Sequence, residues 1–485
     1  MTRGPRRTLQ IAGVCLVACC AWSCSATSRQ SDRRPDEAAS SSPQVSTAPI
    51  ANASRDAGPI DAVADASRDV GAADANDEGE IEPADEAEAQ PSLRIPPEDY
   101  ARAKLTIQDP QGAMAHFYRQ LEAVARHERG AIARMSVYSD SINGAEFITS
   151  SIRHSMQGRF GDAGKGWVPI SPGWPTQHHQ DVRWEHDHDW LTLVVNRGDA
   201  PGGRYGLGGV LAYNRSIHSK AIFGTVDDGP VGRSVSRFRL FYQAWRRGGT
   251  VGLTVDDGQT TVVDTAAEET EDRVAEVGVP DGAHTLEVSV EDGRLRLYGV
   301  VMERDGPGVV VDGLMLIGAR GRRLSLFDAE HFGRQVALRG TDLLVFWMGA
   351  NDAEERYFDR DGFLAQYGAG IDHARAGRPE ASCLVVSITD LGEVPGGRTR
   401  RNVPRIVEAQ QQLAQTHNCA FLNFFEAMGG EDSMRRYFRQ EPRLAAADYV
   451  HFTLAGARVV GELFYEILLR SFDEHLAGAQ EARSP

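Results

Sequence analysis

The chain has 485 residues, 41% of them hydrophobic, which is enough material for more than one ordinary domain. The formal net charge is −16, and residues 31–100 contribute −12 of it through 17 acidic side chains and 5 arginines. In the rest of the chain, positive and negative charges are close to balanced. Because nucleic-acid binding needs a basic surface that neutralises phosphates, no nucleic-acid partner is expected.

Residues 1–24 have the pattern of an export signal. Arginines precede a short apolar run at 11–18, which is too short to span a bilayer as a helix. Two small-residue sites follow, ending in Cys19 and Cys24, and both resemble the lipobox of bacterial lipoproteins. The resemblance implies a lipid on one of these cysteines and an anchored protein at the periplasmic or outer-membrane face of the cell envelope. A secretory signal that happens to be rich in cysteine is the alternative.

Residues 25–97 are dominated by alanine, aspartate, glutamate, serine and proline. Such a segment cannot bury enough apolar surface to offset its loss of conformational entropy. We therefore predict a disordered acidic linker that holds a folded body away from a membrane.

An α/β unit is predicted to begin in residues 98–166. Apolar residues at helical spacing predict a helix over 113–126, and residues 132–138 have the pattern of a strand. This strand runs into Ser139, Asp140 and Ser141, and a second helix is predicted over 146–156. Open α/β sheets place their sites at the carboxyl ends of strands, where this turn lies.

Residues 167–305 have a different pattern, with short β-type runs separated by Gly, Asp and Pro. Runs of this kind at regular spacing predict an inserted antiparallel sandwich. The α/β pattern resumes over 306–475, and residues 476–485 are predicted to be a tail. The resumed part is predicted to contain strands near 308–318, 342–348, 384–388 and 421–425, and helices over 407–416 and 455–469.

Four short blocks carry chemically active residues at the boundaries of these elements. They contain Ser141, then Gly318, then Asn351 in a Gly-Ala-Asn-Asp run, and finally Asp448 and His451. Ester cleavage by serine needs a nucleophile, a base, a group that orients the base, and donors to an oxyanion. Each block alone is weak evidence, since a helix cap, a plain turn or a structural histidine explains it equally well.

Together, in this order, the blocks resemble those of the SGNH (GDSL-like) hydrolases, which read GDS, a glycine, GxND and DxxH. The resemblance implies a three-layer, flavodoxin-like α/β fold with a parallel sheet, here interrupted by an all-β jelly-roll or sandwich insert. It implies that Ser141 is the nucleophile, His451 the base and Asp448 its orienting partner. The backbone N–H groups of Ser141 and Gly318 and the side-chain amide of Asn351 are the implied oxyanion donors.

One position departs from the family pattern, because Ser139 stands where the first block has glycine. Two loops, at 159–167 and 307–314, are similar to those that flank an inserted jelly roll in exported SGNH proteins. The architecture is similar to that of peptidoglycan O-acetylesterases, in which the insert is a carbohydrate-binding-like module. This resemblance implies an esterase that removes O-acetyl groups from a cell-envelope glycan such as peptidoglycan, without a metal or organic cofactor.

Two alternatives stay open at this point. The same scaffold and triad would serve an O-acetyltransferase, and a non-catalytic glycan-binding surface lipoprotein would keep the fold. The expected partners are an acetylated glycan as substrate and a membrane through the lipid anchor, and we expect a monomer.

The body contains two cysteines, Cys383 and Cys419, each at the start of an apolar run. If these runs are neighbouring strands, the two residues form a disulfide; two buried free thiols are the alternative. The histidine-rich stretch 178–189 has residues that bind metals, but without identifiable companion ligands we favour a polar edge strand and loop.

Several side chains near the predicted cleft have two interpretations. Arg320 and Arg322, beside the glycine block, either hold a sugar or carboxylate or are exposed helix residues. We expect the insert to overhang the cleft, where its aromatic residues either stack on sugar rings or form its core; they include Trp184, Trp190, Tyr205 and Tyr213.

Overall fold

The structure, a computed structural model, describes residues 93–481, so the predicted export signal and nearly all of the predicted linker lie outside it. The strands are β1 Ile132–Ser139, β2 Gly166–Pro169, β3 Arg183–His186, β4 Trp190–Val194, β5 Val210–Asn214, β6 Lys220–Gly224, β7 Val235–Ala244, β8 Thr250–Val255, β9 Thr261–Asp264, β10 Glu271–Gly282, β11 Thr285–Asp292, β12 Arg296–Glu303, β13 Gly308–Met315, β14 Leu343–Trp347, β15 Ser382–Val386 and β16 Ala420–Leu422.

The helices are α1 Ala115–Ala125, α2 Phe147–Phe160, α3 Ala329–Arg339, α4 Ala350–Ala353, α5 Arg360–Ala376, α6 Val403–Thr416, α7 Phe424–Ala427, α8 Ser433–Phe438 and α9 Leu454–Glu481. Short 3₁₀ helices lie at Pro97–Tyr100, Ser141–Asn143, Pro201–Gly203 and Gly321–Leu326. Among the described helices, none has both the length and the apolar character needed to cross a membrane.

A parallel sheet with the strand order β13-β1-β14-β15-β16 forms the centre of the α/β part. Its strands are buried along nearly their whole length, as expected where helices cover both faces of a parallel sheet. Helices α1, α2 and α9 pack together, and α3, α5 and α6 form a second packed group. The predicted three-layer α/β fold is confirmed.

The topology of this sheet brings three of the predicted blocks together. Strands β13, β1 and β14 are neighbours and run in the same direction. They end at Met315, Ser139 and Trp347, and the residues that follow those ends contain Gly318, Ser141 and Asn351. The site therefore lies at the carboxyl edge of the sheet, as the sequence predicts.

The segment between β1 and β13 forms two antiparallel sheets. One has the order β10-β7-β12-β5-β4 with β2 also paired to β12, and the other has the order β3-β6-β11-β8-β9. The sheets enclose a hydrophobic core of their own. Alternate residues of the first sheet face opposite ways, so Val300 joins that core whereas Val301 joins the core of the α/β part. The described residues, 93–481, consequently lie in one compact unit.

A buried ion group fastens the end of this insert to the sheet. Glu303, the last residue of β12, accepts hydrogen bonds from Arg134 at 2.8 Å and from Arg339 at 2.7 Å. Arg339 also donates to Asp312 of β13 at 2.8 Å. Removing one member of such a group leaves a buried charge uncompensated, which typically lowers the free energy of unfolding by about 3–5 kcal/mol.

Short segments of the chain cover both outer strands of the parallel sheet. At one edge, Gln108 and Phe421 exchange backbone hydrogen bonds of 2.8 and 2.9 Å. At the other edge, the Val309 N–H donates to the Gly161 carbonyl at 2.9 Å. Next to the first of these edges, Cys383 of β15 and Cys419, which precedes β16, are joined by a disulfide with a Cα–Cα distance of 4.7 Å.

Three predicted boundaries differ in the structure. The strand predicted over 421–425 ends at Leu422, because Asn423 caps the short helix α7 by accepting a hydrogen bond from the Glu426 N–H. Helix α9 continues to Glu481, so the predicted tail is helical as far as that residue. The folded body also begins before position 97, since Ile95 is buried and its N–H donates to Asp473 at 3.1 Å.

Candidate active site

Ser141, His451 and Asp448 form a continuous line of hydrogen bonds. His451 Nε2 lies 3.1 Å from Ser141 Oγ, and His451 Nδ1 lies 2.7 Å from Asp448 Oδ2. Asp448 Oδ1 also accepts the backbone N–H groups of Val450 and His451 at 2.9 and 3.0 Å. The aspartate therefore holds both the turn and the imidazole, and the imidazole faces the serine hydroxyl.

The charge distribution in this line favours a basic imidazole. Burial alone would raise the pKa of the Asp448 carboxyl, but hydrogen bonds from His451 and from the Val450 amide hold it below its usual range. The hydrogen bond to Asp448 raises the pKa of His451 above its ordinary value. An imidazole with a raised pKa is a stronger acceptor for a serine proton.

The turn that carries Ser141 is fixed by the preceding aspartate. Asp140 is fully buried and caps the 3₁₀ helix, accepting the Ile142 N–H at 3.2 Å. Its second oxygen accepts the N–H groups of Gly349 and Ala350 at 3.1 and 3.0 Å. Asp140 thus joins the nucleophile turn to the turn that contains Asn351.

The serine at the family's glycine position is accommodated without strain. Ser139 is the last residue of β1 and its φ is not positive, so the conformation does not require glycine. Its hydroxyl accepts a hydrogen bond from Asn143 Nδ2 at 3.3 Å. The substitution therefore adds a contact inside the turn and leaves Ser141 in place.

Gly318 and Asn351 lie on the two neighbouring turns. Gly318 has a φ of +73°, a conformation that favours glycine, and among residues 93–481 its N–H has no acceptor. Asn351 Nδ2 donates to the Ala319 carbonyl at 3.1 Å, which fixes the orientation of the amide. The structure therefore brings all five predicted site residues to one edge of the sheet.

A second buried aspartate connects these two turns. Asp352 accepts the Gly321 N–H at 3.0 Å. Burial, together with repulsion from Asp140, raises the pKa of Asp352 to about 7. Asp352 belongs to the Gly-Ala-Asn-Asp run, but the family pattern assigns a role only to the asparagine of that run.

Comparison with protein families identifies the larger part of this arrangement. Residues 275–459 match the GDSL-like Lipase/Acylhydrolase family. The matched range contains Gly318, Asn351, Asp448 and His451, while Ser141 lies before it, on the other side of the insert. Residues 275–459 therefore form part of a GDSL-like esterase domain. A comparison with curated proteins found no match.

A solved structure shares the fold of the described part of this chain. A peptidoglycan O-acetylesterase matches with a TM-score of 0.64 and 23% identity, covering 77% of this chain and 99% of that one. At this identity, the likeness shows the fold. A family two carbohydrate esterase from Clostridium thermocellum in complex with cellohexaose matches with a TM-score of 0.24 and 11% identity, covering 57% and 97%.

A cavity of about 300 Å³ opens beside Ser141 and His451 of this GDSL-like hydrolase. Apolar side chains, including Phe147 and Ile317, form much of its wall, and Thr176 of the insert also lines it. These three positions were missed in the sequence. Thr176 in particular lies outside every family block, in the loop between β2 and β3.

Buried charges anchor the loop that carries Thr176. Glu146, at the start of α2, accepts hydrogen bonds from Lys165 Nζ and from the Gln180 N–H, both at 2.7 Å, and pairs with Arg153. The His179 ring lies 3.4 Å from the same carboxylate. Burial alone would raise the pKa of Glu146, but Arg153 and Lys165 hold it well below its usual range. The insert is therefore fastened directly behind the nucleophile turn.

These contacts also account for part of the histidine-rich stretch. Asp181 pairs with Arg153 and lies 2.8 Å from the His154 ring. Strand β3, which ends at His186, is an edge strand of the second sheet of the insert. In the part of the chain that the structure describes, no group of three or more His, Cys, Asp or Glu side chains has a metal-binding arrangement.

The remaining candidates near the cleft have internal partners. Arg320 lies 2.8 Å and Arg322 3.8 Å from the Glu355 carboxylate. Trp190 and Tyr205 are buried in the cores, which removes them as platforms for a sugar. Trp184 is half-buried against the core of the insert, and the half-buried Tyr213 ring lies under Arg296.

Proposed function

We propose that this chain is an exported serine esterase that hydrolyses O-acetyl esters on a cell-envelope glycan such as peptidoglycan. The observation that carries the proposal is the line of hydrogen bonds from Ser141 through His451 to Asp448. Acetyl esters of a glycan are the proposed substrate because the fold is shared with a peptidoglycan O-acetylesterase over nearly that whole chain. The small cavity beside Ser141 suits a short acyl group.

In the first half of the reaction, Ser141 Oγ attacks the acetyl carbonyl carbon while His451 Nε2 takes its proton. The oxyanion receives hydrogen bonds from the N–H groups of Ser141 and Gly318 and from the Asn351 amide. Asp448 keeps the imidazole in the required tautomer and stabilises its charged form. His451 then returns the proton to the leaving sugar oxygen, and an acetyl ester remains on Ser141.

In the second half, water replaces the sugar. His451 takes a proton from the water as its oxygen attacks the acetyl carbon, and the same donors stabilise the second oxyanion. Collapse of this intermediate releases acetate and returns the proton to Ser141. The chain's own residues account for every proton transfer in this scheme.

Export and lipid anchoring are part of the same proposal. They rest on the sequence of residues 1–24, which lie outside the described residues, and the disulfide between Cys383 and Cys419 supports them because such bonds persist in oxidising compartments. Stable anchoring needs more than one acyl chain. We expect the protein to partition into detergent and to lose this behaviour when both Cys19 and Cys24 are changed to alanine.

The catalytic proposal is tested by Ser141→Ala. We expect this variant to fold normally and to release no acetate from p-nitrophenyl acetate or from O-acetylated peptidoglycan, while a serine-directed phosphonate labels the wild type only at Ser141. Ser325→Ala is a matched control, because its hydroxyl only donates to the Arg322 carbonyl, and it keeps full activity. Turnover by Ser141→Ala at the wild-type rate would contradict the proposal.

A further inference from the structure

The insert reaches the active site at a second point, through Asn196. This residue lies in the turn that follows β4, and its neighbour Val195 is fully buried in the core shared with the α/β part. The Val195 N–H donates to the Gly209 carbonyl at 3.0 Å, which fixes the turn. From this position Asn196 Nδ2 donates to the Ile317 carbonyl at 2.8 Å.

The acceptor of this bond belongs to the peptide that also contains the Gly318 N–H. Because a trans peptide is planar, its C=O and N–H point in opposite directions. Holding the Ile317 carbonyl toward Asn196 therefore turns the Gly318 N–H away from Asn196. The carbonyl side of this peptide is occupied by the insert, and the N–H side remains free for an oxyanion.

The local backbone makes such a hold necessary. The Ala319 N–H donates to the Leu316 carbonyl at 2.9 Å, which closes a four-residue turn, and the positive φ of Gly318 is the signature of a type II turn. Type I and type II turns differ by rotation of the middle peptide through roughly 150–170°. Here that peptide is Ile317–Gly318. In the alternative turn, the Ile317 carbonyl would take the place of the N–H donor and repel an oxyanion.

We infer that Asn196 is a positioning residue that keeps the Ile317–Gly318 peptide in the orientation that serves the oxyanion. The inference rests on the proposed function, in which the Gly318 N–H is one of the donors. It gives the insert a part in the chemical step, beyond any part in binding the glycan.

The first test measures the hydrolysis of p-nitrophenyl acetate by Asn196→Ala and Asn196→Asp. We expect kcat to fall about tenfold to a hundredfold for Asn196→Ala, less than the loss of about 10²–10³ seen when an oxyanion donor is removed outright, with KM changed less than about threefold. Asn196→Asp should lose more, because its carboxylate faces a carbonyl oxygen. Affinity for 1,1,1-trifluoroacetone, whose adduct with serine places an oxyanion in the same hole, should weaken by the same factor as kcat/KM.

Asn214→Ala is the matched control. Asn214 also lies in the insert and also donates its side-chain amide to a backbone carbonyl, that of Gly293 at 3.0 Å. This variant should keep kcat within about twofold of the wild type, even where its melting temperature falls. Equal losses of kcat in Asn196→Ala and Asn214→Ala would overturn the inference, and so would an unchanged kcat in Asn196→Ala.

A double-mutant cycle with Gly318→Ala separates positioning from a general structural effect. A Cβ at position 318 would meet only Asn196 Nδ2, at 3.8 Å, so this substitution acts through the strained positive φ. If Asn196 works through this peptide, Asn196→Ala should add little to the loss caused by Gly318→Ala. Fully additive losses would overturn the inference. If Ser141→Ala is inactive and Asn196→Ala is fully active, the inference about Asn196 is overturned and the proposed function still stands.

Discussion

The nucleophile turn and the turn that carries the histidine differ in burial, although each depends on an aspartate. Asp140 is fully buried and accepts three backbone N–H groups from two separate turns. The Asp448 side chain is 48% exposed and accepts two N–H groups from its own turn and one from the His451 ring. Asp140 holds the backbone around the serine, and Asp448 orients the imidazole of His451.

The pKa values of these two carboxyl groups are shifted in opposite directions. Burial raises the pKa of Asp140 despite its three backbone hydrogen bonds. Burial acts in the same direction on Asp448, but the hydrogen bond with His451 overcomes it and lowers the pKa of that carboxyl. Matched Asp→Asn substitutions should therefore separate the structural role of Asp140 from the chemical role of Asp448.

The largest effect is expected for Asp448→Asn. An amide at this position favours the wrong tautomer of His451, and in a serine triad this change lowers kcat by up to about 10⁴. Because the side chain is half-exposed, the melting temperature should change little. Assays with p-nitrophenyl acetate test the expected fall in kcat. A thermal melt tests whether the melting temperature is unchanged. A loss of only about tenfold would show that the backbone contacts of this turn suffice to orient the ring.

Asn351→Ala should have the next largest effect. The amide of Asn351 is fixed by the Ala319 carbonyl, so its removal takes away one oxyanion donor without disturbing Ser141. We expect kcat to fall by about 10²–10³ with KM nearly unchanged. A change confined to KM would instead assign Asn351 to substrate binding.

Asp140→Asn should have a smaller effect on rate and a larger effect on stability. An amide has one acceptor oxygen, so at least one buried N–H of Ile142, Gly349 or Ala350 loses its partner, at a cost of about 1–3 kcal/mol. Because Ala350 precedes Asn351, part of the Asn351→Ala loss should appear, about tenfold in kcat. Urea unfolding and steady-state kinetics check the two expectations. A variant as stable as the wild type would remove the distinction drawn between the two aspartates.

The pH profile should show the smallest of these effects. The raised pKa of His451 places the acid limb of kcat/KM above about pH 6.5, the ordinary value for histidine, because the protonated ring cannot accept the serine proton. Activity is therefore lost as the pH falls through this limb. In Asp448→Asn the limb should move to lower pH, whereas in Asp140→Asn it should move less, since Asp448 is the main cause of the shift.

The parts of this site that sequence predicts are those in which a short run of residues determines the geometry. Asp448 and His451 are three residues apart on one turn, and their hydrogen bond needs no other segment. Ser141, Gly318 and Asn351 follow buried strands, and parallel strands bring their carboxyl ends to one edge. The departure at Ser139 causes no backbone strain because its backbone is extended, which the residue type alone does not reveal.

The parts that sequence does not predict depend on how the insert packs on the α/β part. Thr176, Asn196 and Glu146 act across sequence separations that no periodicity describes. His179 is an example, because its sequence neighbours indicate only a polar loop, whereas its ring lies against the carboxylate of Glu146, which directly precedes α2. Aromatic residues were ambiguous for the same reason, since the burial of Tyr205 follows from packing between the two parts.

The covered edges of the parallel sheet have a consequence for the behaviour of the protein at high concentration. An outer strand with free peptide groups is a template for a strand of another molecule, and such pairing leads to fibrils and amorphous aggregates. Here the residue pair Gln108–Phe421 at one edge and the contact of Gly161 with Val309 at the other use peptide groups of those outer strands. We expect the folded protein to stay dispersed until these two short segments detach, so that aggregation on heating begins with local opening at the sheet's margins.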